Sequence, residues 1–412
     1  EVWQAPFLND QETNVSLSQA VKNWKDGEST PSEIVFLNQK LKSRAIENHF
    51  PAAWALKAKS EAISNLVKDS VFIQGVTDGF ARENPVFIRG NHTDQSEETM
   101  PRIFLSGIFE EQKPYKGEGS GRQQMVKMIL SEDNPLTSRV MVNRIWHHVF
   151  GRGIVETVDN FGLQGKLPTN PELLDFLSLQ FVQQSWSIKT MVKNMVLSQA
   201  FQRATSGGSV DKDPDNLYLT RYSVRRLEAE GIRDAVLAAA GTLDTSMFGE
   251  PVAVHLTSFM QGRGRPGNSG PLDGDGRRSV YLEVRRNFLD RMMTAFDRPT
   301  PFTTFGKRDV TNVPAQSLFL MNDPFIAEQA GRMAKGLLDN KKLSEKEKIS
   351  EAYLKAFSRP ATEDEISKGQ LFLNETRAVA SVESEEEGNI DLLVWKEYCH
   401  ALFNMKSFIY LL

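Results

Sequence analysis

The sequence predicts a mainly α-helical protein with a small β element and long glycine-rich loops. Apolar residues recur at helical spacing along most of the chain, as in SWSIKTMVKNMVLSQAFQR (185–203). Helix-start and helix-stop residues separate these stretches, whereas only a few short runs have the β-branched and aromatic content typical of strands. A long segment, 244–280, is rich in glycine and shows no period.

The first 121 residues form one predicted domain. Thr30 and Glu33 have the spacing of a helix N-cap and its partner, and Pro31 lies between them. The predicted elements are helices within 15–71, paired strands at 70–76 and 84–91, and a surface linker over 92–122.

Residues 122–412 form the second predicted domain, which is helical. Asn134-Pro135 begins a helix over 136–150, and Gly151 and Gly153 end it. Further predictions are a helix N-cap at Thr169, a strand at 278–287, a helix interruption at Asp323-Pro324, and a capping box at Thr362 and Glu365.

Composition excludes several classes of protein. The single cysteine, Cys399, rules out a disulfide framework and a thiolate zinc cluster, and it lies in an apolar stretch that predicts a buried thiol. The six histidines form no HxH or HExxH array, and no CxxCH haem-attachment sequence is present, so we predict no metal and no cofactor. No apolar run reaches membrane-spanning length. The start, EVWQAPFLND, suggests a processed piece of a longer protein.

Charge is unevenly distributed along the chain. Residues 139–308 carry 22 cationic and 17 acidic side chains, and 17 of the cations are arginine. Arginine suits bidentate contacts with carboxylates, sulfates or phosphates. The excess is too small for a protein that binds duplex DNA, so we expect no nucleic-acid partner.

The helix NPLTSRVMVNRIWHHVFGRG (134–153) carries the first candidate site. Arg144 and His148 are one turn apart, as are Asn143 and His147, on a helix that is apolar nearly all round. Buried polar groups of this kind brace neighbouring loops through hydrogen bonds. Alternatively, His148 is a general base beside an Arg144 anion clamp, with Asn143 as a ligand contact.

Two arginine pairs form the second candidate site. Arg225 and Arg226 precede Glu228, which can pair with Arg225 one helical turn away, whereas Arg285 and Arg286 should face opposite sides of a strand. One interpretation is an internal network of arginines with carboxylates; the other is a basic cleft for an anionic sugar. The candidate network partners are Glu228, Glu230, Asp234, Glu283 and Asp297.

The loop QGRGRPGNSGPLDGDGRR (261–278) alternates glycines with charges. Asp273 and Asp275 suggest calcium, but the ligand order of an EF-hand is missing. A lid or partner-binding loop and a disordered segment both remain open interpretations.

Several ordered motifs carry a family resemblance from about residue 122 to the C-terminus. They are NPLTSRVMVNRIWHHVFGRGIVET, DNFGLQGKLPTNPELLDFL, SWSIKTMVKNMVLSQAFQR, RRLEAEGIRDAVL, RRSVYLEVRRN, AFDRP, VPAQSLFLMNDPF, AFSRPATEDE and WKEYCHALFNMKSFIY. The chain resembles a planctomycete-specific domain of unknown function that lies C-terminal to planctomycete-type cytochrome c modules. The family's Asn-Arg, Trp, His and Phe-Gly positions fall on Asn143, Arg144, Trp146, His148, Phe150 and Gly151.

The resemblance implies a periplasmic or extracellular protein and supplies no reaction. We therefore expect an accessory or interaction module of a larger exported protein, whose partners are other modules or subunits. An enzyme or binding protein acting on a sulfated or uronic glycan is the alternative, with Arg144, His148, Arg226 and Arg286 converging on the 261–278 loop. A docking partner of a cytochrome c module is the third hypothesis.

Overall fold

The structure is a computed structural model that describes residues 16–26, isolated positions from 28 to 40, and 83–411 apart from 106, 110–113, 116–118, 208–209 and 384–389. The chain divides into two compact units, 1–81 and 82–412. The predicted domain boundary at residue 121 stays a prediction. The predicted strand at 70–76 and most of the helical stretch 15–71 lie outside the described residues.

In the first unit, the described residues form helix α1 (Leu17–Asp26) and a capping arrangement. The Glu33 carboxylate accepts hydrogen bonds from the Thr30 backbone N–H at 2.7 Å and from its hydroxyl at 2.9 Å. In return, the Glu33 N–H donates to the Thr30 hydroxyl at 3.4 Å. The predicted cap is therefore confirmed.

The second unit consists mostly of helices, and the mainly α-helical class is confirmed. The helices are α2 (Arg122–Ile129), α3 (Pro135–Phe150), α4 (Pro171–Gln183), α5 (Ile188–Val196), α6 (Ala229–Ala240), α7 (Arg291–Ala295), α8 (Pro314–Asn322), α9 (Pro324–Asp339), α10 (Glu345–Phe357), α11 (Glu363–Glu383), α12 (Ile390–Phe403) and α13 (Lys406–Ile409). Within the described parts of the chain, none of them is long and apolar enough to cross a membrane.

Several predicted helix ends are confirmed, and one predicted cap is wrong. Helix α3 begins after Asn134, whose side chain accepts from a backbone N–H, and it ends at Gly151 in the left-handed region. The cap of α4 is Asn170 rather than Thr169. Thr169 instead donates its backbone N–H to the carbonyl of Ile154 at 2.9 Å, and this bond fixes the loop between α3 and α4.

Two short antiparallel sheets complete the unit. Strands β1 (Asn84–Phe87) and β2 (Gln95–Met100) form a hairpin, so part of the predicted linker is a strand. Strands β3 (Arg225–Arg226) and β4 (Tyr410–Leu411) pair and hold the last described residues against the segment that precedes α6.

The predicted strand at 278–287 is wrong. It contains a single 3-10 turn, Ser279–Tyr281, and then a tight turn in which the Phe288 N–H donates to the Arg285 carbonyl at 3.0 Å. The run has strand-like residues, but they form only isolated bridges, from Leu282 to Val252 and from Arg285 to Phe288 across the turn. Local composition favours a strand only where a second strand is available to pair with it.

Two apolar clusters form the core of this unit. The larger one packs α9 along α12 and against α6, and it buries Ile232, Ile326, Met333, Val394 and Phe403. The smaller one joins α3, α4 and α5. Because α3 turns one face to the smaller cluster, its polar residues are held on a rigid support.

Candidate functional site

Asn143 braces the loop that follows α3. Its side chain is fully buried, its amide nitrogen donates to the Val155 carbonyl at 2.9 Å, and its amide oxygen accepts from the Val155 N–H at 2.8 Å. A Cβ at Gly153 would lie 2.4 Å from the Val155 carbonyl oxygen and 2.9 Å from the Asn143 amide nitrogen. The second glycine of the Gly-Arg-Gly sequence is needed because the loop passes so close to this amide.

The Arg144/His148 edge of α3 faces a carboxylate and an arginine. The Arg144 guanidinium lies 3.6 Å from Asp159, which also accepts from the Gly306 N–H at 2.9 Å. The backbone carbonyl of His148 accepts from Arg225 at 2.9 Å, while its ring is exposed. This arrangement connects α3 to β3 and to the loop around Gly306.

His147, unlike His148, is partly buried. Its Nδ1 is shielded from solvent and has no hydrogen-bond partner among the described residues. Burial lowers the pKa of His147 below its ordinary value of 6.5, and the nearby charges of His148, Lys307 and Arg225 lower it further, against a raising effect of Asp159. The imidazole is therefore neutral near pH 7.

The lowered pKa of His147 predicts a loss of stability in acid. The pKa of His147 is lower in the folded state than in the unfolded chain. The neutral ring therefore contributes to stability above about pH 6.5, and this contribution is lost as the pH falls. We expect His147→Gln to lose less free energy of unfolding than the wild type between about pH 7 and about pH 5. Chemical denaturation at several pH values measures this. The prediction would be contradicted if the free energy of unfolding fell equally with pH in the variant and the wild type. It would also be contradicted if the exposed control His92→Gln had the same effect as His147→Gln.

Arg226 forms a buried ion pair in the second candidate region. Its side chain is 3% exposed, and it lies 2.6 Å from the Asp297 carboxylate. It also donates to the Thr311 carbonyl at 2.6 Å. Asp297 accepts further bonds from the Thr311 N–H and hydroxyl. Burial raises the pKa of Asp297, but the hydrogen bonds from Arg226 and Thr311 outweigh it and the net pKa is lowered.

Glu228 pairs with a different arginine from the one predicted. Residues 225–226 are a strand, so the helical spacing between Arg225 and Glu228 does not exist and that prediction is wrong. Arg308 lies 3.6 Å from Glu228 and binds both carboxylate oxygens of Glu230, at 2.6 and 3.1 Å. An internal arginine–carboxylate network is therefore present: Arg226–Asp297 and Arg285–Glu283 join predicted members, whereas the predicted pair Arg225–Glu228 is replaced by Arg308–Glu228.

Arg285 and Arg286 are both exposed. The chain forms a turn here rather than a strand, so the prediction that the two arginines face opposite sides of a strand is wrong. Arg285 pairs with Glu283 at 2.9 Å.

Arg233, which no sequence pattern singles out, organises the end of the glycine-rich loop. Its buried guanidinium donates to the carbonyls of Asp273 at 2.6 Å and Arg277 at 2.9 Å. A Cβ at Gly274 would lie 2.5 Å from this group, and Gly274 has a φ of +61°. The Leu-Asp-Gly-Asp-Gly sequence thus wraps an arginine. No metal-holding group of three or more His, Cys, Asp or Glu side chains occurs in the described residues.

Cys399 is a buried core residue, as predicted. Its side chain is fully buried and burial raises the pKa of its thiol, which opposes thiolate formation. The neighbouring His400 ring lies 2.8 Å from the Leu320 carbonyl and so makes a structural contact.

Two of the open concave surfaces lie elsewhere. One, the apolar groove, has a volume of about 540 Å³ and is lined by residues that include Ile103, Phe104, Met125, Ile129, Leu136 and Met141. The other, the aromatic pocket, has a volume of about 200 Å³, and its walls include Trp146, Phe150, Arg152, Asn170, Asp215 and Tyr218. None of the predicted site residues lines either one.

Fold and contacts together define a helical domain whose arginines and asparagines hold loops in place. The chain belongs to the family described as PSD1, a protein of unknown function (DUF1553), which matches residues 121–373. The chain matches no curated protein and no solved structure. Family membership therefore establishes the domain and no reaction.

Proposed function

We propose that this protein is a non-catalytic interaction module of a larger exported protein, and that the apolar groove binds a helix of a neighbouring module. The groove itself carries this proposal. Helix α2 has no buried residue, and Met125 on it is 48% exposed. An eight-residue helix is marginal in water unless an apolar face is covered.

The position of the groove supports a contact between modules. Ile103 and Phe104 precede the family-matched region, whereas Met125 and Leu136 lie inside it, so the groove spans the start of that region. It shares Ile103, Phe104 and Met125 with a second hollow of about 640 Å³. Long apolar grooves of this kind accept the apolar face of an amphipathic helix.

The candidate polar residues support an interaction role rather than catalysis. Asn143, Arg226 and Arg233 bind backbone carbonyls or carboxylates within the fold. Their hydrogen-bonding capacity is directed inward, so Arg226 is not available to the anionic-glycan cleft that was predicted to use it. The family resemblance supports a parent protein outside the cytoplasm and makes a cytochrome c module one candidate partner.

Site-specific photo-crosslinking tests the proposal. We would place p-benzoylphenylalanine at Met125 of the full-length protein in its native cells, and at Leu371 as a control, because Leu371 is also an apolar helical residue and is 58% exposed. We expect a discrete adduct from position 125 that mass spectrometry identifies as another module of the exported protein. Leu136→Glu should abolish it.

Two outcomes would contradict the groove as a binding surface. One is the lack of any discrete adduct from position 125, and the other is the same set of adducts from position 371. An adduct that contains c-type haem would identify the partner as a cytochrome c module.

A further inference from the structure

The aromatic pocket has the walls of a small-ligand site. The rings of Trp146 and Phe150 lie 4.1 Å apart at 30° and form one continuous aromatic wall at the end of α3. Tyr218 stands at the opening and is 71% exposed. Tight packing on one side and an exposed ring on the other allow a flat apolar face to lie against the wall.

Polar groups surround this wall with unused hydrogen-bonding capacity. Asn170 uses its amide oxygen to cap α4, at 3.0 Å from the Leu173 nitrogen. Its amide N–H groups and the Asp215 carboxylate have no protein partner in the described part of the chain. Arg152 binds Glu156 at 3.1 Å, but its Nε is buried without a hydrogen-bond partner among the described residues. A buried, unsatisfied donor favours a ligand or water at that position.

Charge and volume restrict the ligand. The lining carries one cation, Arg152, and one anion, Asp215, so the pocket has no net positive charge to attract an anion. Its volume of about 200 Å³ equals that of roughly seven waters, which suits one six-membered ring with its substituents. A neutral sugar ring has weakly polar C–H faces for the aromatic wall and hydroxyls for the carboxylate, the amide and the guanidinium.

We infer that the aromatic pocket binds one neutral pyranose ring. This site is separate from the apolar groove and does not depend on the proposed interaction role. It also differs from the anionic-glycan hypothesis, because it uses Trp146, Asp215 and Tyr218 in place of the Arg144/His148 edge.

Saturation-transfer NMR on the full chain tests the inference, with methyl glucoside, galactoside and mannoside as probes and methyl glucuronide as the anionic comparison. We expect transfer to the ring protons of at least one neutral glycoside. Tyr218→Ala and Asp215→Ala should each weaken binding by about three- to tenfold, since each removes one aromatic or polar contact. Phe259→Ala is the matched control, because Phe259 is an aromatic residue outside the pocket and is 93% exposed.

Three results would overturn the inference. They are no transfer to any neutral glycoside, binding that is unchanged in both pocket variants, and equal or tighter binding of the glucuronide. Tyr218 and Asp215 are exposed, so their variants should keep the fold, and unchanged circular dichroism would confirm this.

Discussion

Replacing Asp297 with asparagine is expected to lower the free energy of unfolding by about 3 kcal/mol or more, because the Arg226 guanidinium is then left buried without its counter-ion. Asparagine is the informative substitution, since Asp297 has a φ of +63° and asparagine tolerates this region almost as well. Urea denaturation at neutral pH measures the effect.

A surface ion pair provides the control for Asp297. Asp364 and Lys368 are paired one turn apart on α11 and are both largely exposed, so Asp364→Asn should cost less than about 1 kcal/mol. A comparable loss in the two variants would show that burial of the Arg226–Asp297 pair has no special role.

Replacing Asn143 with alanine is expected to lower the free energy of unfolding by about 2–4 kcal/mol, because the buried N–H and carbonyl of Val155 both lose their partner. Asn143→Asp should also destabilise the protein, since a carboxylate cannot donate to the Val155 carbonyl. Thermal and urea unfolding of both variants measure this.

Asn322→Ala is the matched control for this position, because Asn322 is exposed and its side chain bonds only within its own helix. Its effect should stay within about 0.5 kcal/mol. An Asn143→Ala protein of wild-type stability would show that the contact with Val155 is not a brace.

The predictable part of the fold is the part that local chemistry determines. Helix α3 follows from its Asn134-Pro135 start and its Gly151 stop, and the break between α8 and α9 follows from Asp323-Pro324. The strand at 278–287 failed because strand formation needs a pairing partner, which composition does not encode. Thr169 and Asn170 are both good caps, and the bond from Thr169 to Ile154 decides between them.

The types of contact at the candidate site could be predicted from the sequence, but most of the specific partners could not. Burial on an apolar helix predicted that Asn143 needs partners, and the arginine excess predicted a carboxylate network. The partners themselves are distant in sequence: Arg226 with Asp297, and Glu230 with Arg308. Arg233 was missed because its acceptors are backbone carbonyls, which every residue carries. The aromatic pocket joins α3 to the loop around Tyr218, and only the tertiary fold brings these segments together.

The bracing contacts also explain the spacing of the motifs. Asn143 and Gly153 form one bracing contact, since the amide and the loop touch. Arg226 and Asp297 form a second, and Arg233 with Gly274 a third. Each bracing contact joins a helix or strand to a loop that has little regular structure of its own. Substitutions at a bracing contact should therefore lower the stability of the fold before they affect the binding of any ligand.

A double-mutant cycle on Arg226 and Asp297 tests this central claim most directly. The free energies of unfolding of Arg226→Met, Asp297→Asn and the double variant are compared with that of the wild type. If the pair braces the fold, each single variant should lose much of the free energy of unfolding. The double variant should lose well below the sum of the two single losses, with a coupling energy of at least about 2 kcal/mol. Single variants of wild-type stability, or effects that add to within about 0.5 kcal/mol, would contradict it.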